Sequence, residues 1–201
     1  MKINDKDSEL DEEGFQETTD VFNITSLYGR KLSEKWAISA LAEYRTTILD
    51  NFNDPGYLDF GVGATWTPIK NLVVVIHPLN YNLVFSKGNN TAFESSLGAK
   101  IVADYTRQIG AVSFKSNLSM FQSYESSNLS NWTWINSFSY TLWKKIGVGF
   151  DVGLRDNKQE SLNFQRGGLA DGVDPETLTF DSDDFDNELQ TYWLLGLSYA
   201  F

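Results

Sequence analysis

Cysteine is absent from the 201 residues, and histidine occurs once, at His77. A disulfide framework and a thiolate metal site are therefore excluded, and imidazole chemistry is confined to one position. Long apolar runs are missing as well. The longest, LVVVI at residues 72–76, falls far short of the roughly 18–20 residues of a membrane-crossing helix. The opening MKINDKDSELDEEG has no apolar h-region, so it is not a signal peptide. Basic side chains are scarce: 16 Lys and Arg stand against 27 Asp and Glu, a formal charge of −11. That balance disfavours nucleic acid as a partner, because such binding rests on basic contacts to phosphate.

What the chain does have is alternation. In the closing LQTYWLLGLSYAF, Trp193, Leu195, Leu197, Tyr199 and Phe201 alternate with Leu194, Gly196, Ser198 and Ala200. Period two sends the large apolar set to one face of a strand and the mostly small set to the other. The pattern recurs upstream. Trp36, Ile38 and Tyr44 oppose Ser39, Glu43 and Arg45. Leu58, Phe60, Val62 and Trp66 oppose Asp59, Gly61, Gly63 and Thr65. Leu97, Ile101 and Tyr105 oppose Lys100, Asp104 and Thr106. Ile38, Val62, Leu97, Leu118 and Val148 thus belong to one continuous apolar set. About nine such strands are expected, with a bulge where Pro78 follows His77.

Connections alternate short and long, ending with a Gly- and Asp-rich loop at 157–187. Aromatics, 14% of the chain, gather at two levels near strand ends, as interfacial girdles do. Sided loops, two girdles and an aromatic terminus together point to an all-β, antiparallel, up-and-down transmembrane β-barrel in a bacterial outer membrane. A soluble β-sandwich or ligand-binding barrel explains the alternation alone.

Strand parity adds an expectation. Single-chain bacterial barrels have even strand numbers and both termini on the periplasmic side. With about nine strands and a last strand ending there, the first begins outside. Residues 1–19 then read as an acidic extracellular loop or tail of a truncated start. Residues 20–201 read as barrel strands with an extracellular loop at 157–187, the C-terminal portion of a barrel of ten to twelve strands. The first and last strands run in the same direction and cannot pair antiparallel.

The succession DVFNITSLYGRKLSEKWAISALAEYRT, YLDFGVGATWTP, the His-Pro-Leu strand, WKKIGVGFDVGLRD and LLGLSYAF resembles an outer-membrane barrel family of Bacteroidota known as domain of unknown function 3078. The likeness runs over nearly the whole chain after about Gly14. It implies a barrel, and an N-terminal part carrying a signal peptide and further strands. It also implies that Gly196, Leu197, Tyr199 and Phe201 form a C-terminal signal read by the barrel-assembly machinery. The resemblance implies no activity and no cofactor.

Candidate chemistry is sparse. His77 invites comparison with barrel phospholipases that use a Ser-His pair, but no serine stands out as its partner. The inward face carries Glu43, Arg45, Asp59, Glu94, Lys100, Asp104, Lys115, Asp151 and Arg155. Interspersed signs suit a hydrogen-bonded network in a narrow lumen, or the selective lining of a wider one. Asp181, Asp183, Asp184, Asp186 and Glu188 supply hard oxygen ligands for Ca²⁺, but without the glycine of an EF-hand loop, and a solvated acidic loop is the preferred reading. Gly61-x-Gly63 lies within a strand, so it marks small inward positions and no nucleotide fingerprint. The expected function is a passive pore or a structural component of an envelope assembly, with no catalytic residues. Its partners are outer-membrane lipid, the assembly machinery and other envelope proteins. A barrel-embedded lipid enzyme and a soluble binder of small apolar ligands are the alternatives.

Overall fold

The computed structural model describes residues 22–46, 48, 52–87, 92–143, 145–170, 172–187 and 189–199. The alternating segments form β1 (Phe22–Lys31), β2 (Trp36–Thr46), β3 (Gly56–Ile69), β4 (Leu72–Phe85), β5 (Ser96–Ile109), β6 (Val112–Ser123), β7 (Asn131–Trp143), β8 (Ile146–Asn157) and β9 (Gln190–Tyr199). They lie in sequence order in one sheet. Every neighbouring pair is antiparallel. The turns after β3 and β5 take two residues each, Lys70-Asn71 and Gly110-Ala111. Gly110 has φ 60°, a conformation that costs glycine nothing. The expected segment 1–19 lies outside the described residues.

A bulge sits where Pro78 was expected to force one. Ladder pairing jumps from His77↔Lys100 to Asn80↔Gly98. Pro78 has no N–H to give a ladder, and the one extra residue on this strand reverses the side-chain parity of β4. His77 and Asn80 therefore both point to the same face, and both are fully buried. Leu79 points to the other and is 58% exposed.

Polarity in this sheet is inverted relative to a soluble protein. On one face Ser39, His77, Asn80, Asn82, Ser96, Lys100 and Ser123 are buried. On the other, Ile38, Val62, Leu97, Phe138 and Leu195 are exposed. Trp36 and Trp66 stack there at 5.6 Å, one pair of the ladder between β2 and β3. Leu118 and Val148, expected with this set, lie on the same face and are half-buried.

The sheet is strongly curved, with the polar face inside. Lys100 on β5 reaches Glu43 on β2, with its Nζ 3.0 Å from Oε2. Three strand spacings of about 4.8 Å would set those backbones about 14 Å apart on a flat sheet, so the strands must roll toward one another. The curl does not close. Among the described residues β1 pairs only with β2 and β9 only with β8, and nearly all described residues of both edge strands are exposed on both faces. Strands of equal direction at the two edges cannot form an antiparallel seam, as the parity argument requires.

The segment 157–187, expected as a long loop, carries local structure of its own. It begins with helix α1 (Lys158–Gly167), and a short 3-10 turn follows at Pro175–Thr177. Asn157 caps α1 by accepting from the Glu160 backbone N–H, and Gly168 follows the helix, so both ends are marked in the sequence. The segment has its own small core. Leu162 and Leu178 are buried with Ala92, and Phe93, Leu169, Phe180 and Phe185 pack around them.

Candidate functional site

The concave face holds the polar groups, and they form three clusters along the strands. In the middle lies an ion network. Lys100 is 4% exposed and donates to Glu43 Oε2 at 3.0 Å and Asp59 Oδ2 at 2.7 Å. Asp59 Oδ1 also accepts from Asn80 Nδ2 at 2.9 Å and Asn82 Nδ2 at 3.2 Å. Glu43 Oε1 accepts from Asn23 Nδ2 at 3.2 Å. Burying these charges is tolerable because each is paired and its remaining lone pairs are hydrogen-bonded. Glu43 and Asp59 are direct ladder partners, so the ammonium also separates two carboxylates that would repel.

Toward the short-turn end lies a hydroxyl–imidazole cluster. His77 Nε2 is 2.9 Å from Ser39 Oγ, and Thr65 Oγ1 donates to the same Ser39 oxygen at 2.9 Å. The sequence pattern shows no serine beside His77; the fold supplies one from β2. Gly63 makes this possible, since a Cβ there would lie 2.1 Å from the Ile76 carbonyl oxygen and 2.9 Å from the His77 ring. Gly98 plays the same part for Phe121, whose ring would meet a Cβ at 2.8 Å. The Ser39–His77 pair has the spacing of a nucleophile and base. Both are buried on the concave face, 2% and 0% exposed. Among the described residues His77 Nδ1 has no hydrogen-bond partner, so no carboxylate orients the ring.

At the loop end, one carboxylate gathers three strands. Glu160 of α1 accepts from the Tyr57 hydroxyl at 2.9 Å and from Arg155. Its oxygen is also 3.6 Å from the Arg45 guanidinium. Arg45 in turn lies over the Tyr57 ring, 4.7 Å from its centre, a cation–π contact. Glu160 escapes strand-based reading because it lies outside any strand. An Asn157-x-x-Glu160 capping pattern is the local signal that marks the helix carrying it.

The other residues expected on the inward face divide. Asp104 is on it and accepts from Asn117. Lys115, beside Ser137 in the ladder, and Asp151, opposite Ser137 on the far side, share that face without joining the central network. Glu94 is a correction: it precedes β5, is exposed, and engages through its backbone N–H, which donates to Gln159 Oε1. The connection before Ser96 is held by α1 and never enters the ladder. Asp181, Asp183, Asp184 and Asp186 are exposed, and no three potential ligands converge among the described residues. Glu188 and Phe201 lie outside them. Gly196 and Leu197 are on β9, where Leu197 is 80% exposed, and Tyr199 ends the strand.

Between β1, β2, β4, β5 and β6 a cavity of about 310 Å³ remains on the concave side, lined by Asn23, Thr25, Leu41, Glu43, Asp104 and Asn117, among others. The fold thus defines an antiparallel up-and-down sheet of nine strands, apolar outside and charged within.

Comparison with known proteins adds one family. The family model described as "Protein of unknown function (DUF3078)" matches residues 3–52. This is the family that the strand motifs resemble, but the match starts upstream of Gly14 and ends in the β2–β3 connection, a shorter stretch than the motifs suggest. A solved structure titled "NanC porin structure in rhombohedral crystal form" shares 16% identity with a TM-score of 0.45, covering 90% of this chain and 79% of that one. No curated protein matches the chain.

Proposed function

We propose that this protein is an outer-membrane β-barrel whose polar lumen gives passive passage to small hydrophilic solutes. The observation that carries this reading is the inverted polarity of the sheet. A soluble protein does not leave Ile38, Val62, Leu79, Leu97, Phe138 and Leu195 exposed on one face while burying Lys100, Asn80 and His77 on the other. Lipid is the solvent in which that arrangement is favourable. A soluble carrier of apolar ligands would need the opposite lining, because the concave face here carries Glu43, Asp104, Arg155 and Lys100.

The lipid is then the partner of the convex face. The assembly machinery is the partner of the last strand, through Gly196, Leu197, Tyr199 and Phe201. Residues 157–187 stand at the extracellular end. A purely structural role in the envelope is the second reading, favoured by the Glu43–Lys100–Asp59 network that occupies mid-lumen. The Ser39–His77 pair does not carry a lipid-enzyme reading, because lipid meets the convex face and both side chains are buried on the concave one.

Membrane fractionation with heat-modifiable migration tests the proposal. The protein is expected in the outer-membrane fraction, running faster unheated than boiled. Recovery as a soluble, monodisperse species without detergent would overturn it.

A further inference from the structure

We infer that α1 and the segment that follows it to Asn187 are a lid over the loop-end mouth of the lumen, latched by Glu160, and that its release opens the passage. The inference rests on the passage reading above and names how that passage is controlled.

The placement of α1 carries the argument. The helix continues directly from β8, yet its first three residues touch elements spread around the sheet. Lys158 Nζ donates to Asn128 in the β6–β7 connection at 3.0 Å. Gln159 Oε1 accepts from the Glu94 N–H in the β4–β5 connection at 2.8 Å. Glu160 meets Arg45 of β2 and Tyr57 of β3. In a curved sheet, one helix reaches β2, β3, the β4–β5 connection and the β6–β7 connection only by lying across the opening. Leu162 then packs on Ala92 and Phe93 from the rim, a second anchor for the helix there.

The docking is also built to come apart. Most of the lid's apolar burial is internal or against a single rim connection, Ala92–Phe93, and among the described residues no ladder bond ties it to the sheet. Among the described residues, Glu160 makes the polar contacts across the mouth to Arg45 of β2 and Tyr57 of β3. That side chain is 21% exposed, and its partners Arg45 and Arg155 are 37% and 27% exposed, so the ion pairs are within reach of solvent. Removing the Glu160 charge leaves two guanidiniums facing each other under the helix, which favours release. Excising the lid altogether would break no strand pairing, since β8 and β9 pair from Arg155↔Gln190 onward.

The experiment measures potassium chloride conductance of the membrane-purified protein in planar bilayers, with cleavage after Lys158 by a lysine-specific protease as a second readout. Lys158 is half-buried and bonded across the mouth to Asn128, so it is protected while the lid is docked. Glu160→Arg is expected to raise conductance severalfold and to expose the Lys158 site. Adding Arg155→Glu to that variant restores an ion pair and should return both readouts toward the starting values. Unchanged conductance with the Lys158 site newly cleaved would overturn the lid. Raised conductance with Lys158 still protected would overturn lid release as the cause. Unchanged conductance and cleavage would overturn the latch. If the starting protein, Glu160→Arg and a lid-excised variant all conduct nothing while still showing heat-modifiable folding, the passage reading falls too.

Discussion

Lys100 Nζ lies 2.7 Å from Asp59 Oδ2, although the two residues stand on strands separated by β4. The contact is a product of curvature, and it makes the lysine the charge that holds two adjacent carboxylates on the concave face. Lys100→Met should therefore leave Glu43 and Asp59 side by side without a cation. Breaking a buried pair in this way costs about 3–5 kcal/mol, and the lower end applies because Glu43 keeps 23% exposure. The check is the urea midpoint of the folded band in detergent. Lys100→Met combined with Glu43→Gln and Asp59→Asn should recover most of the loss.

Gly63 and Gly149 both look inward, yet substitution should separate them. A Cβ at Gly63 would lie 2.1 Å from the Ile76 oxygen, whereas at Gly149 the nearest atom is 4.0 Å away. Gly63→Ala should cost about 1–3 kcal/mol through displaced backbone and loss of the Ser39–His77 contact. Gly149→Ala should stay within about 0.5 kcal/mol. Equal midpoints for the two variants would contradict the close approach of β3 and β4 at the bulge.

Val62 is exposed near the middle of β3. If lipid covers it, Val62→Arg should destabilise the inserted protein by about 2–4 kcal/mol, and an Arg near a strand end by about 0–1 kcal/mol. That depth dependence is the signature to look for in lipid-vesicle refolding. A flat profile along β3 would argue against a bilayer around this face.

Loss of residues 190–201 should block assembly, because β8 would lose its pairing with β9 from Ile146↔Tyr199 to Arg155↔Gln190. Each unpaired backbone group in hydrocarbon costs several kcal/mol. Excising 158–187 behind a short linker should leave assembly intact. Membrane yield and heat-modifiable migration of the two truncations give the comparison, and a reversed outcome would exchange the roles assigned to strand and lid.

How much of this is legible in the chain varies by element. Alternation marks all nine strands and assigns faces correctly for Glu43, Asp59, Lys100 and Asp104, because a pleated backbone sends successive side chains to opposite sides whatever its neighbours are. Pro78 announces the bulge, because a residue without an N–H interrupts a ladder. Gly61 and Gly63 announce small inward positions, but not that His77 and Asn80 lie over them.

What alternation cannot encode is contact between non-adjacent strands. Lys100 meets Glu43, and Ser39 meets His77, only because the sheet rolls up, and the degree of roll is set by all nine strands together. Glu94 shows the same limit at a strand end, where α1 captures the chain before it reaches the ladder. The ten-residue helix is too short to show a helical period against its surroundings, so its caps alone betray it, and its place across the mouth is legible nowhere. The sequence by itself therefore determined the strands, their faces and the polar character of the concave side, all local consequences of backbone geometry. The tertiary structure decided which charges pair, which serine meets the histidine and where Glu160 docks, because each of those depends on distances that exist only once the sheet has curved.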